Sequence, residues 1–265
     1  MGIVQGLTEF LPVSSSGHLI IVPALAGWDD PFITSLAFSV MLHIGTLVAL
    51  LIYFRADWLR LVPAGLATIR DRSFDGDPDR RTAWLIAIAT VPALIIGLLL
   101  NDAIEERFRQ LGLVALMLVV GGAIMWLAER LGSKRLLGVD LTFPKALGIG
   151  LAQSLALVPG ISRSGISISA GLFAGLDRES AARFSFLMAT PITAAAATYE
   201  VYKLASGEAG VSVDLGPLLA GMAASLLSGL FAIGFLLRFL RTNSTDIFVA
   251  YRLVLAAIVL VFWLG

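Results

Sequence analysis

Apolar residues run through this chain in blocks about as long as a bilayer is thick, set apart by short polar or proline-containing breaks. A helix needs ~20 residues to cross the hydrocarbon. The pattern predicts six such crossings, at residues 32–54, 82–100, 111–128, 181–202, 217–237 and 247–264. Pro92 and Pro191 fall inside two of them, and a proline within a helix kinks it. The segment 57–81 is charged and includes an aqueous loop at 71–78, the segments 132–140 and 206–216 also read as loops, and 101–110 is a polar connection.

Two further apolar blocks are too short to cross and are broken in the middle. Residues 5–18 read QGLTEFLPVSSSGH. Pro12 has no N–H with which to continue a helix, so the pattern predicts a helix, a break at 12–16, and a second helix to about residue 25 before the turn at 27–31. Residues 143–158 form a helix that stops at Pro159-Gly160, and Ser162 opens another that runs to Gly175. Broken backbone at membrane depth survives only where protein or a water-filled cavity satisfies its polar groups. Each break is therefore read as half of a buried polar site.

The two broken blocks are copies of one another. With Gln5 placed on Gln153, thirteen positions align without a gap, QGLTEFLPVSSSG over QSLALVPGISRSG, and five are identical. Identity falls on Gln, Leu, the outer two serines and the final Gly. The pair Phe38-Ser39 recurs at Phe184-Ser185 at nearly the same offset. The chain thus divides into a repeat at about 1–130 and another at about 143–265, forming a single integral membrane domain. Each half is one re-entrant hairpin plus three crossings. Three is odd, so the second half enters from the opposite side, and the two hairpins meet near the midplane. The expectation is an all-α polytopic membrane protein with six transmembrane helices and two re-entrant helical hairpins in an inverted-topology repeat. Glu9, Ser15 and His18 should face Ser162, Arg163 and Ser167.

Composition sharpens this picture little. The chain is 58% hydrophobic and 14% charged, with a mean hydropathy of +0.90, too apolar for an ordinary soluble domain. The absence of cysteine excludes disulfides, thiolate metal sites and cysteine nucleophiles. The start MGIVQG has neither a basic region nor a cleavage site, so it is not read as a signal peptide, and Gly6 spoils a myristoylation signal. Net charge is zero, but its placement is informative. Fourteen of the nineteen Lys and Arg fall on the face carrying 57–81, 132–140 and 238–241, and three on the other, with Arg163 and Arg252 embedded. Positive charge collects on the cytoplasmic side. Both termini, and the opening of the site, are then expected outside.

Buried at membrane depth, Glu9 costs roughly 2.5–3.5 kcal/mol on insertion scales and needs a partner, a proton or a function. Helices that start at serine-rich breaks expose unpaired N–H groups and a positive dipole end, and two converging starts suit phosphate. Arg163 adds a planar fork that can grip phosphate oxygens. Ser15 and His18 are three residues apart, on one helix face, so the imidazole could take a proton from the hydroxyl. Glu9 could hold a divalent ion or orient His18. Plainer readings stand beside these. Ser14, Ser16, Ser162 and Ser164 suit helix caps, and Glu9 with Arg163 suits a structural ion pair. His43 suits a packing polar residue or a lining of the same cavity. Arg252 suits a partner for carbonyls or for Asp246.

These motifs resemble the undecaprenyl-pyrophosphate phosphatase family associated with bacitracin resistance. Its first motif, Glu/Gln-x-x-x-Glu followed by Pro-x-Ser-Ser-x-Gly-His, is similar to Gln5 to Glu9 and Pro12 to His18. Its second, Pro-Gly-x-Ser-Arg-Ser-x-x-Thr, is similar to Pro159 to Ser167, with Ser167 in place of Thr. Phe184 to Leu187 and Tyr251-Arg252 also look familial. Gln5 stands where many members carry Glu, which removes one metal ligand, and the chain begins later than the family does.

The resemblance implies hydrolysis of a C55 polyprenyl pyrophosphate to the monophosphate and inorganic phosphate in the bacterial cytoplasmic (inner) membrane. On the chemistry of the residues themselves, Ser15 is the candidate nucleophile, His18 its general base and then acid, and Arg163 the charge stabiliser. Ser14, Ser16, Ser162, Ser164 and Ser167 would bind phosphate. Glu9, with Gln5 a weaker candidate, would hold a divalent cation, Mg²⁺ or Ca²⁺. The partner is the lipid pyrophosphate; no nucleic acid is expected, and a homodimer is compatible. Water activated directly by His18 or Glu9 is the other route. A lipid-phosphate flippase using the same inverted-repeat site is the rival reading.

Overall fold

Helix ends in this chain follow from a few capping residues. Ser35 accepts from the Phe38 N–H and starts α3 (Leu36–Tyr53). Asp77, followed by Pro78 at the first helical position, starts α5 (Pro78–Phe108). Gly27 takes the left-handed conformation (φ 64°) that ends α2 (Ser15–Ala26) after α1 (Gly2–Phe10). The remaining helices are α4 (Arg55–Asp71), α6 (Leu111–Leu131), α7 (Phe143–Gln153), α8 (Arg163–Phe173), α9 (Arg178–Ala205), α10 (Leu215–Leu240) and α11 (Asp246–Leu264). This computed structural model describes residues 1–74, 76–206 and 214–264. Among them no strand forms, only an isolated bridge between Leu136 and Leu176.

The chain is an all-helical membrane protein, but its crossings differ from the six-span expectation. Among the described residues four helices, α5 to Leu100, α6, α10 and α11, are long and apolar enough to cross a bilayer. The predicted crossing at 32–54 is the first arm of a bent pair, α3 and α4, which turn by 82° at Phe54. α9 is long enough but carries Arg178, Glu179 and Arg183 at its start, and it packs between α3 and α8. A helix shielded by its neighbours has less need to be apolar all round. The predicted connection at 101–110 is mostly helical, since α5 continues to Phe108. Most of the predicted loop at 206–216 lies outside the described residues.

The loop expected at 71–78 does separate α4 from α5, and the charged stretch before it, for which no element was expected, is helix α4. Its charges, Arg55, Asp57, Arg60, Arg70 and Asp71, hid an apolar stripe. Leu59, Val62, Leu66 and Ile69 recur every three or four residues and are all more than half exposed. Such an exposed stripe on a helix turned away from its neighbour suits the membrane–water boundary.

The hairpin arms insert closely among the longer helices. α1 packs on α10 and α3, and α7 on α5. Gly2 and Gly150 are repeat-related, and each lies where a Cβ would collide with a backbone carbonyl of a long helix, Gly221 O and Ala89 O respectively. The same close approach is built twice from the same residue type. The main core cluster runs from Phe10 and Phe54 through Ile168 and Phe186 to Leu236, so residues of both halves share it.

Candidate active site

The breaks themselves are built alike. Ser14 and Ser162 both sit at φ 76°, a region non-glycine residues rarely enter. Each caps the helix that follows, accepting from the N–H of Gly17 (3.3 Å) and of Gly165 (3.1 Å). Each faces a second serine hydroxyl, Ser16 at 3.4 Å and Ser164 at 3.3 Å. Strained backbone of this kind persists where surrounding structure over-determines it, and it clusters at functional sites. In the second block the preceding helix ends earlier than expected, at Gln153, and residues Ser154–Leu157 form a 3₁₀ turn.

The two breaks touch. Gly160 N–H donates to Ser14 Oγ (3.2 Å), and Ser164 Oγ donates to Leu11 O (3.1 Å). Arg252 of α11 is fully buried and fastens them from behind. Its guanidinium donates to the carbonyls of Leu118, Pro12, Gly160 and Ile161, at 3.1, 3.4, 2.7 and 2.8 Å. Gly121 leaves the room, since a Cβ there would collide with the guanidinium. Carbonyls are thus the partners of Arg252, and Asp246 pairs with Arg130 instead.

Glu9 is the hub in front. One carboxylate oxygen, Oε1, accepts from Arg163 of the opposite break. The other, Oε2, accepts from Gln5 Nε2 (3.0 Å) and from Ser15 Oγ (2.5 Å), with His43 Nε2 at 3.4 Å. Arg163 is fixed from α9, where Nη1 donates to Ala189 O (3.1 Å) and Thr193 Oγ1 (2.7 Å). Its Nε makes no hydrogen bond among the described residues, so a donor remains for an incoming oxygen. Glu9 is buried, but Ser15, His43 and Arg163 are only partly so.

His18 does not pair with Ser15. Its Nδ1 lies 2.7 Å from Ser14 O, and its Nε2 lies 2.7 Å from the Tyr251 hydroxyl. A carbonyl only accepts, so Nδ1 carries the proton, and in the neutral ring Nε2 accepts from Tyr251. Both ring nitrogens are spoken for. The base touching the Ser15 hydroxyl is Glu9. His43 is held in the same way at Nδ1, whose N–H donates to Ser39 O (2.8 Å), but its Nε2 faces the carboxylate instead of a tyrosine.

The expected phosphate serines divide. Ser14, Ser16, Ser162 and Ser164 lie at the converging helix starts. Ser167 does not join them, for it donates to Arg163 O (2.6 Å) and meets Ser185 Oγ (2.6 Å) on α9. Sequence reasoning left out Thr193 and did not use Tyr251. Both act from distant helices, and Tyr251 was visible only beside Arg252. Gln5 Oε1 and both amide atoms of its counterpart Gln153 are buried without a partner.

No group of three or more His, Cys, Asp or Glu that could hold a metal occurs among the described residues. The donor set near Glu9 nevertheless fits one divalent ion in part. The orphaned Gln5 Oε1 is a hard oxygen beside a carboxylate, and Mg²⁺ is often held by one or two carboxylates plus substrate oxygens.

The fold and this cluster define a polytopic helical membrane protein with an acid, a hydroxyl and a guanidinium gathered at two facing helix breaks. The chain belongs to the family described as bacitracin resistance protein BacA, which matches residues 1–258. It is similar to the undecaprenyl-diphosphatase of Gemmatimonas aurantiaca, 47% identical over 259 residues, covering 98% of this chain and 94% of the relative. That of Desulforudis audaxviator is 44% identical over 263 residues, with 98% and 95% covered. That of Moorella thermoacetica is 43% identical over 265 residues, with 100% and 96% covered.

Proposed function

We propose that this chain is a membrane phosphatase that hydrolyses undecaprenyl pyrophosphate to undecaprenyl phosphate and inorganic phosphate. The observation that carries the reading is the Glu9–Ser15 contact at 2.5 Å, with Arg163 on the same carboxylate. A flippase needs a phosphate cradle but has no use for a hydroxyl held against a base, and the named relatives are diphosphatases.

The terminal phosphate enters between the two helix starts, where unpaired N–H groups and the dipole ends favour an anion. Arg163 takes its oxygens with Nε and Nη2, loosening its hold on Glu9. Ser15 Oγ attacks phosphorus as Glu9 Oε2 accepts its proton. The Oγ–P bond forms, the bridging P–O bond breaks, and undecaprenyl phosphate leaves with the electron pair. Glu9 passes that proton to the departing oxygen or to solvent. Water, deprotonated by Glu9 or His43, then attacks phosphorus, the Oγ–P bond breaks, Ser15 Oγ takes back a proton and phosphate is released. His18 is a positioning residue, fixing the break through Ser14 and Tyr251. Gln5 and Glu9 would hold a Mg²⁺ or Ca²⁺ ion, which when bound neutralises pyrophosphate charge.

The membrane arrangement belongs to the same proposal: a bacterial cytoplasmic membrane, two re-entrant hairpins in an inverted repeat, and termini and site opening outside. The fourteen-to-three distribution of Lys and Arg supports it, as do the paired conformations of Ser14 and Ser162. In this arrangement α4 lies along the boundary and α9 is the sixth crossing. The test is phosphate release from undecaprenyl pyrophosphate by the purified protein in detergent, where there is no membrane to cross. Binding without release would leave only the carrier.

A further inference from the structure

Away from the two breaks, a cavity of ≈ 550 Å³ opens between α3, α9 and α10. Its rim is cationic, with Arg183, Arg238 and Arg241 against the single carboxylate of Glu179. Arg183 is held by Asp57 at 2.6 Å, and Arg241 by Glu179 at 2.7 Å. Arg238 is exposed and makes no hydrogen bond or ion pair among the described residues.

The wall below the rim is aromatic. Phe231 and Phe235 are 66% and 43% exposed, one helical turn apart, with stacked rings at 6.1 Å. Gly234 keeps the groove open beside them, since a Cβ there would meet only the Tyr53 ring, at 3.6 Å and beyond. From Phe231 to Arg238 the helix rises ~10 Å, from 1.5 Å per residue. α10 is one of the helices apolar enough to cross a bilayer, so this wall lies at hydrocarbon depth while the arginines reach the headgroup layer. A soluble anion would use only the rim. A lipid uses both parts, an acyl chain on the aromatic wall and a phosphate on the guanidinium groups.

We propose that this cavity holds one anionic phospholipid of the surrounding leaflet, with its phosphate on Arg238 and Arg241 and an acyl chain along Phe231 and Phe235. The proposal is independent of the phosphatase reading, because none of these residues belongs to the Glu9 cluster.

The experiment is native mass spectrometry of the full-length protein in non-ionic detergent. It is titrated with phosphatidylglycerol, with phosphatidylcholine of the same chains, and with inorganic phosphate. One phosphatidylglycerol should bind saturably and more tightly than phosphatidylcholine. Arg238→Gln breaks no ion pair, so folding is preserved, and affinity should fall about fivefold. Arg135→Gln, the same charge change on a loop outside the cavity, should leave it unchanged. Equal affinity for the two lipids overturns the proposal. So does an equal loss in both variants, which would mean diffuse attraction, and so does displacement of the lipid by inorganic phosphate, which would mean a soluble-anion site.

Discussion

Glu9 and Ser15 lie on opposite sides of the first helix break, and the break brings the carboxylate and the hydroxyl to 2.5 Å. Pro12 and the unusual Ser14 backbone between them make the contact, because on one continuous helix residues six apart do not face each other.

Removal of the base should therefore cost more than removal of any of the capping serines Ser14, Ser16, Ser162 and Ser164. Glu9→Gln is expected to lower turnover by about 10²–10⁴, the span of a general base. Ser15→Ala should abolish turnover, and wild-type protein quenched early should carry phosphoserine. Inversion at a chiral terminal phosphate in ¹⁸O-water would point to direct attack by water, since a covalent route makes two displacements.

The two histidines should part company. His43 presents Nε2 to the carboxylate, whereas Nε2 of His18 is taken by Tyr251. His43→Gln should slow the reaction itself, seen as a fall in kcat. Tyr251→Phe should leave kcat within a few-fold and lower thermal stability by about 1 kcal/mol, one hydrogen bond's worth. Steady-state kinetics and unfolding in detergent read both, and the reverse order would return the base role to His18.

Arg252 should matter for stability more than for chemistry. Lysine keeps the charge but offers a point donor in place of a fork that serves four carbonyls. Arg252→Lys should cost about 1–3 kcal/mol for each carbonyl left unpaired. It should appear as a lower half-inactivation temperature, while the KM of the surviving protein stays unchanged.

Gln5 offers a test of the cation. Gln5→Glu adds a second carboxylate beside Glu9 and should shift the Mg²⁺ and Ca²⁺ dependence of phosphate release to lower concentration. Metal binding followed calorimetrically without substrate gives a second readout. An unchanged metal curve in both would remove Gln5 from the ion's surroundings.

Sidedness is open to labelling, since the chain has no native cysteine. Ser73→Cys and Ser206→Cys should react from opposite sides of sealed vesicles, the second from outside. Labelling of both from one side would rule out the inverted arrangement.

The sequence by itself determined where backbone stops being helical. Prolines, glycines and serine caps act within a few residues, so the breaks at 12–16 and 159–162 and their repeat relationship were legible without any tertiary information. So was the meeting of Glu9 with Arg163, because a buried carboxylate needs a partner and the repeat supplies one. The apolar stripe of α4 was hidden by the charges between its members, and a window of average polarity shows such a segment only as charged. The earlier end of α7 left no signal either, since residues 154–158 hold no proline or glycine to mark the 3₁₀ turn that replaces the helix there. Only the tertiary structure decided which side chain serves which. His18 and Ser15 share a helix face by spacing, yet the break rotates Ser15 toward Glu9 and leaves His18 to Ser14 and Tyr251. His43, Thr193 and the adjacent pair Tyr251 and Arg252 come from three stretches separated by tens to hundreds of residues. Such contacts leave no periodicity in the chain, because they depend on how α3, α9 and α11 close around the breaks, and a pattern in sequence records only what neighbours along the helix require.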